Sequence, residues 1–245
     1  MKKKFQIIYP SSEVNTQEIH WLWKEEAEAM QKAGITVGLD PDSNSENLMH
    51  RGFCIYQEEK YPQDKRFINK FQNLIDYTRL STYYPHIADL SIETFFVDEL
   101  NQEVPKLIYD KGWDKAFIKK DAKALEHVEE GKSVYPTTSL EEMKKLYDEF
   151  IFDGKYAIRK FIEPEKIQQE ERYWVLNGNI YHRYNIIPEV VIEATKRLNK
   201  LGSRYYTIDA TPEFVVEVNP GESSDRHAVN SAELFASWIK KEFAS

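Results

Sequence analysis

Short apolar runs and helical periodicities alternate along the chain. Phe5-Gln6-Ile7-Ile8-Tyr9, closed by Pro10, reads as a first strand. Ser11-Ser12-Glu13 and Asn15-Thr16 offer helix caps. Ile19, Leu22, Trp23, Ala27 and Met30 then recur at three- and four-residue spacing up to a stop at Ala33-Gly34. Ile35–Leu39 and Gly52–Gln57 read as further strands, so the opening has α/β character. Asp64 to about Thr78 carries Phe67, Phe71, Leu74 and Ile75 on one helical face. Trp21 and Trp23 fall in the first helix and read as core or interface residues rather than as a ligand box.

A second block begins near Ile92, with the boundary between residues 80 and 100. Ala116–Lys119 is a short strand, and Ser139–Phe150 is a helix whose Ser139 and Glu142 make a capping box. Tyr156–Ile162 is a strand interrupted by Arg159-Lys160. Tyr173–Leu176 and Asn179–Arg183 flank Asn177-Gly178, the clearest hairpin turn, since both residues tolerate positive φ. Pro188–Leu201 is a helix with Gly202 just beyond it. Two strands ending in Asp209 and Glu217 follow, separated by Thr211-Pro212, and Ala228–Phe243 closes the chain as an amphipathic helix.

Composition narrows the function classes. At 245 residues with 41% hydrophobic and 13% aromatic content, the chain has material for one large domain or two small ones. A net charge of −8 argues against a protein whose main task is gripping nucleic acid. The single cysteine, Cys54, lies in an apolar run and has no partner for a disulfide within the chain. Lys2-Lys3-Lys4 precedes only the short run Phe5–Tyr9, too little for a signal core, and no stretch has membrane-spanning length, so a soluble cytoplasmic protein is expected. Histidines at 20, 50, 86, 127, 182 and 227 show no HExxH spacing, and no G-x-S-x-G elbow or G-x-G-x-x-G turn occurs. Gly131-Lys132-Ser133 imitates the end of a P-loop, but Glu126 stands where the first glycine belongs.

What remains is polar chemistry at strand ends. In Glu217-Val218-Asn219-Pro220-Gly221, residues two apart share a strand face, about 6.6 Å apart along the backbone, so Glu217 and Asn219 converge. A carboxylate and an amide oxygen suit a hard cation such as Mg²⁺, completed by substrate phosphates, and a hairpin would bring Asp209 alongside. The plainer reading is an acidic strand end entering a Pro-Gly turn. Upstream, Lys119, Arg159, Lys160, Arg172 and Arg183 come before these oxygen ligands, an order suited to a polyphosphate held between a cationic wall and metal ligands. The loop Glu129–Ser133 could lie over the phosphates, its N–H groups forming a nest.

Taken together, the Lys119 strand, the Gly131-Lys132-Ser133 loop, Glu170-Glu171-Arg172 before the Asn177-Gly178 hairpin, Asp209 and Glu217-Val218-Asn219-Pro220-Gly221 resemble the ATP-grasp superfamily over roughly residues 95–245. The small size resembles compact, divergent members found in phage and bacteria. The resemblance implies an ATP-grasp fold of two α+β subdomains clasping ATP, residues 96–154 and 155–245. A small α/β domain over residues 1–95 would precede them. It implies that Lys119 contacts the α- or β-phosphate, with Arg159 or Lys160 as second basic residue. The backbone of Lys160-Phe161-Ile162 would meet adenine, with Glu163 or Glu165 near the ribose. Glu170 takes the acidic position before the motif arginine. Arg172 and Arg183 would face the γ-phosphate and the acid substrate, and Asp209, Glu217 and Asn219 would hold one or two Mg²⁺ ions. The chain departs from the family pattern in its reduced glycine loop, in its charged 121–130 stretch, and at Lys120, where proline is common.

The implied activity is an ATP- and Mg²⁺-dependent carboxylate–amine ligase, peptide-like in its product, working through an acyl phosphate and releasing ADP and phosphate. Two other readings stay open: a phosphotransferase on the same fold, and a nucleotide-binding module that has lost catalysis. The loop Glu222–His227 offers Arg226 or His227 as substrate contacts or forms a solvated cap before the last helix.

Overall fold

The computed structural model describes residues 4–12, 14–52, 61–121, 133–139, 141–142, 154–226 and 230–244. The N-terminal unit is a parallel sheet of order β2-β1-β3, formed by β1 (Phe5–Ile8), β2 (Thr36–Gly38) and β3 (Asn47–His50). Helix α1 (Lys24–Lys32) connects the first two strands and stops at Gly34, whose φ of 84° suits glycine. The caps read at Ser11–Thr16 do not start it. That segment turns back on itself instead, with the Ser12 N–H donating to the Glu18 carbonyl at 2.7 Å. Trp23 packs against the core, as the core-or-interface reading allows, whereas Trp21 and Leu22 stand 72% and 60% exposed. Strand β3 escaped the sequence reading because Asn47-Leu48-Met49-His50 has neither alternation nor β-branched residues; it is an edge strand of the sheet, yet buried from Leu48 on, with Leu48 bridged to Phe67 on its outer side. The strand expected at Gly52–Gln57 lies outside the described residues from Phe53 on, as does Cys54.

Two antiparallel sheets follow. The second sheet has order β4-β7-β5-β6, with β4 (Thr94–Val97), β5 (Ala116–Lys120), β6 (Ser133–Val134) and β7 (Tyr156–Lys160). Its outer face is closed by Val104 and Ile108 of α4 (Glu103–Asp110) and by Trp113, which pack on Ala116, Ile118 and Ile158. The third sheet has order β11-β10-β8-β9, with β8 (Glu171–Leu176), β9 (Asn179–Tyr181), β10 (Tyr205–Ala210) and β11 (Val215–Pro220). The Asn177-Gly178 hairpin and the pairing of the Asp209 and Glu217 strands are both as read from sequence. Of the Ser139–Phe150 helix only the capping box falls among the described residues; there Glu142 Oε2 accepts from the Ser139 N–H at 2.8 Å.

Sheet three is the middle layer. Tyr173, Val175, Tyr206 and Ile208 face α2 (Phe71–Thr78), α3 (Leu80–Ile87) and α5 (Glu189–Leu198). On the other face, Trp174, Leu176 and Tyr205 meet Phe5, Ile7 and Met30 of the N-terminal unit and Phe235 of α6 (Ala232–Phe243). The expected divisions therefore shift. Helices α2 and α3, inside residues 1–95, pack with sheet three, and β7, placed after the 154/155 division, is an inner strand of sheet two. Partner choice in a sheet is a tertiary fact, and a strand's own alternation does not carry it.

Strand β11 is an edge, and side chains rather than another strand occupy its free groups. Ser91 Oγ donates to the Val215 carbonyl at 2.9 Å and Arg159 Nη2 to the Val216 carbonyl at 2.9 Å, while the Val218 N–H donates to Tyr83 Oη at 3.3 Å. These contacts hold sheet two and α3 against the end of sheet three where the polar residues lie.

Arg51, just after β3, ties the N-terminal unit to the loop beyond β11. It is wholly buried, meets both Glu26 oxygens at 2.7 Å, and donates to the carbonyls of Gly221 and Ser224 at 2.7 and 2.6 Å. Its guanidinium lies over Trp23 at 4.7 Å and Phe235 at 5.0 Å. Burial alone would lower its pKa; Glu26 beside it more than reverses that. Arg51→Met should lose about 3–5 kcal/mol in urea unfolding, because it takes the two-pronged cationic partner from the buried Glu26 and leaves it only the Tyr9 hydroxyl and the longer contact to Arg226. Adding Glu26→Leu should recover much of that loss; strictly additive losses would contradict the pairing.

Candidate functional site

Asp209 and Glu217 are direct cross-strand partners on β10 and β11, and Arg172 on β8 is the other neighbour of Asp209 in the same register row. Two carboxylates side by side repel, so the arrangement needs compensating donors. Arg172 supplies one clamp, its Nε and Nη2 meeting both Asp209 oxygens at 2.7 Å while Nη1 reaches Asp225 Oδ1 at 2.8 Å. Burial would lower the Arg172 pKa, and the hydrogen bonds to Asp209 raise it above the usual value. Asn219, two residues beyond Glu217 on the same face, donates its amide to Asp209 Oδ2 at 3.1 Å and to Glu217 Oε2 at 3.2 Å.

The second compensating charge crosses from sheet two. Lys119 on β5 is 7% exposed, and its Nζ lies 2.6 Å from Glu217 Oε1. Arg159 lies on the same face of that sheet as Lys119, because Phe117 pairs with Arg159 and Lys119 with Ala157. Lys160 points to the opposite face and is exposed, so of the two basic residues Arg159 is the one beside Lys119. The N–H groups of Lys160 and Phe161 are taken by the carbonyls of Glu93 at 2.8 Å and Lys115 at 3.4 Å. Ile162 follows, and Glu163 caps a helical turn at Pro164–Ile167 with its carboxylate 3.5 Å from Lys115 Nζ. Gly131 and Lys132 lie outside the described residues; the Ser133 backbone pairs with Phe117 as β6 begins.

Glu170 stands at the start of β8 with part of its surface in solvent. Desolvation by its protein side, and then the charges of Asp209 and Glu217, push its carboxyl up to about 7. Arg183 is placed apart from this group: its Nη2 meets Glu171 Oε1 at 2.7 Å, and its guanidinium lies over Tyr184 at 4.4 Å. Glu171 alternates with Arg172 along β8 and so leaves the opposite face. Arg226 is likewise held away, by Glu25 at 2.5 Å and Glu26 at 3.5 Å on α1, and His227 lies outside the described residues. Sequence reading missed Tyr83 and Asp225. Tyr83 carried no signal, since helical tyrosines are ordinarily core; Asp225 sat in a loop already singled out, beside the arginine that drew attention.

The donors fit a hard divalent cation. Two carboxylate oxygens converge on one amide nitrogen, and that nitrogen and the Lys119 ammonium stand where positive charge belongs. Among the described residues no three His, Cys, Asp or Glu side chains gather as a metal group by themselves; the third side chain beside the two carboxylates is the Asn219 amide, which turns its nitrogen to them.

No protein-family model matches the sequence, and no curated protein matches it. Solved structures do match over almost the whole chain. The D-cycloserine synthetase DcsG gives a TM-score of 0.64 at 12% identity, covering 96% of this chain and 99% of its own. A Chryseobacterium gregarium RiPP-associated ATP-grasp ligase, in complex with ADP and a leader and core peptide, gives 0.62 at 10% identity, covering 98% of this chain and 97% of its own. A RimK domain ATP-grasp protein from Sphaerobacter thermophilus gives 0.56 at 14% identity, covering 96% and 98%. The chain has the ATP-grasp fold. Lys119 and Glu217 form one of the contacts between sheets two and three, beside that of Arg159 with the Val216 carbonyl. No helix among the described residues is long and apolar enough to cross a membrane.

Glycine closes the ATP-grasp strand β11 for a steric reason. A Cβ on Gly221 would lie 2.5 Å from the Tyr205 ring. The next residue, Glu222, is buried, accepts from Asn69 Nδ2 at 2.8 Å through Oε1, and has no hydrogen-bond partner for Oε2 among the described residues. Burial pushes its carboxyl up to about 7 from an ordinary 4.5. The folded chain therefore keeps a proton there that the unfolded chain releases, and this contribution to stability is lost as pH rises through that interval. Glu222→Gln should match the parent at pH 4.5 and exceed it by about 1–3 kcal/mol at pH 8 in urea unfolding. Equal differences at both pH values would contradict the assignment.

Proposed function

We propose that the chain is an ATP- and Mg²⁺-dependent ligase that joins a carboxyl group to an amine through an acyl phosphate, releasing ADP and phosphate. The observation that carries this reading is the meeting, between two sheets of an ATP-grasp fold, of Lys119 with Glu217, whose carboxylate shares the Asn219 amide with Asp209. Opposite charges from separate sheets converge there, which suits a polyanion and its counter-cation.

In this reading, Asp209, Glu217 and Asn219 hold the cation. A bound Mg²⁺ would supply neutralisation of the phosphate charge as the γ-phosphoryl group leaves. Lys119 and Arg159 bind phosphate oxygens from sheet two, with the Gly131-Lys132-Ser133 segment over them. Arg172 stabilises charge on the transferred group, a role suited to a guanidinium already oriented by two carboxylates. The adenine edge meets the Lys160 carbonyl or the Ile162 backbone, since the N–H groups of Lys160 and Phe161 are bonded within the chain, and Glu163 lies toward the ribose. Glu170, at the start of β8 and close to the charges of Asp209 and Glu217, faces the incoming amine. No side-chain nucleophile is required, because a substrate carboxylate oxygen attacks phosphorus and the amine then displaces phosphate from the acyl carbon. The N-terminal unit shapes the acceptor side. The neighbour that holds ADP with a leader and core peptide supports a peptide-like acid as substrate.

Incubation with ATP, Mg²⁺ and pooled amino acids and peptides should release ADP and free phosphate in step with a new amide. AMP release would reject the acyl-phosphate route, and a stable phosphorylated product would favour the phosphotransferase reading. Glu217→Ala and Asn219→Ala should each reduce turnover by about 10²-fold or more; unchanged nucleotide binding and turnover would defeat the metal assignment.

A further inference from the structure

Strand β5 presents its polar side chains on alternate residues, and Lys119 is not the last of them. The Asp121 N–H donates to the Lys155 carbonyl at 2.9 Å, which extends the β5–β7 ladder one residue past Lys120. Asp121 therefore leaves the chain on the same face as Lys119, while Lys120 between them turns to the other face, over Tyr156. Asp121 is buried against the start of α3. Its carbonyl accepts from the Leu80 N–H at 3.0 Å, its Oδ1 from the Ser81 N–H at 2.6 Å, and its Oδ2 from the Ser81 hydroxyl. Arg79, the residue before α3, provides no side-chain cap, and a carboxylate 40 residues away in sequence takes that place. It satisfies N–H groups of the first turn and suits the positive end of the helix dipole.

Two residues further along α3, Tyr83 Oη accepts from the Val218 N–H at 3.3 Å, between Glu217 and Asn219. The first turn of α3 thus ties the strand that bears Lys119 to the strand that bears two of the proposed cation ligands. Arg159 makes a neighbouring tie from β7 to the Val216 carbonyl; on β5, the next strand of the sheet, Lys119 reaches Glu217 and Asp121 reaches α3.

We infer that Asp121 is a positioning residue for nucleotide binding, holding Lys119 in place through the first turn of α3. This rests on the reading of Lys119 as a phosphate ligand. In that reading the ammonium exchanges Glu217 for a phosphate oxygen, so the ion pair ceases to place β5 just when its placement decides affinity. The Asp121 contacts use groups to which no ligand is assigned, and they persist through the exchange. A lysine whose strand end is already fixed loses less freedom on reaching phosphate. With the carboxylate removed, Ser81 N–H and hydroxyl lose their acceptor, and the end of β5 is released from α3.

The test is a double-mutant cycle on affinity for a non-hydrolysable ATP analogue with Mg²⁺, read by calorimetry. Asp121→Ala should weaken binding about tenfold when Lys119 is present and less than about twofold in a Lys119→Met background, because a residue acting through the lysine has little left to lose there. Asp121→Asn keeps an oxygen for the Ser81 N–H and should stay within about threefold of the parent; a loss as large as that of Asp121→Ala would contradict the capping route. Near-UV circular dichroism checks folding. Should Asp121→Ala fail to fold, Ser81→Ala removes the hydroxyl contact alone and should show a loss of about threefold that likewise vanishes in the Lys119→Met background. Equal losses in both backgrounds, or no loss in either, would overturn the positioning role while leaving the phosphate site standing. A parent that does not bind the analogue would overturn the phosphate site and this inference with it.

Discussion

Two carboxylates facing each other across adjacent strands are the constraint from which the rest follows. Asp209 and Glu217 cannot sit in register on β10 and β11 without positive charge beside them. The fold supplies it from two directions. Arg172 comes from the neighbouring strand of the same sheet, and Lys119 comes from a different sheet altogether. The second contact joins sheets two and three at the place where ligand chemistry is proposed.

The surrounding architecture keeps that meeting point fixed. The free edge of β11 is held by Ser91, Arg159 and Tyr83, which sets the distance between sheets without merging them into one ladder. Behind the site, Arg51 carries its charge through an aromatic layer and grips the carbonyls of the loop beyond β11, the loop that contributes Asp225. A buried pair such as Arg51–Glu26 adds little net stability by itself, yet it penalises any arrangement in which the N-terminal unit slips against sheet three. The polar residues thus rest on a framework whose own charges are matched pair by pair.

Much of this was legible in the sequence, for identifiable reasons. The Asp209–Glu217 hairpin, the common face of Glu217 and Asn219, and the Asn177-Gly178 turn follow from strand alternation and turn chemistry, which are local rules. What escaped reading is relational. Strand β3 has no alternation because both its faces are buried, and α2 and α3 declare an apolar face without naming the sheet they cover. The position of Arg183 shows the same limit: proximity in sequence to a motif hairpin set it beside the substrate, whereas its carboxylate partner, Glu171, leaves β8 on the face opposite Arg172. The choice between Arg159 and Lys160 needed the register with β5, a fact held in another strand.

The central claim is that Lys119 and Glu217 part when ligands bind, one to phosphate and the other to the cation. A crystal structure with Mg²⁺ and a non-hydrolysable ATP analogue tests this most directly. The account requires the cation between Asp209 and Glu217, with Lys119 moved from the carboxylate onto a phosphate oxygen. A bound analogue elsewhere, with Lys119 still 2.6 Å from Glu217, would contradict it.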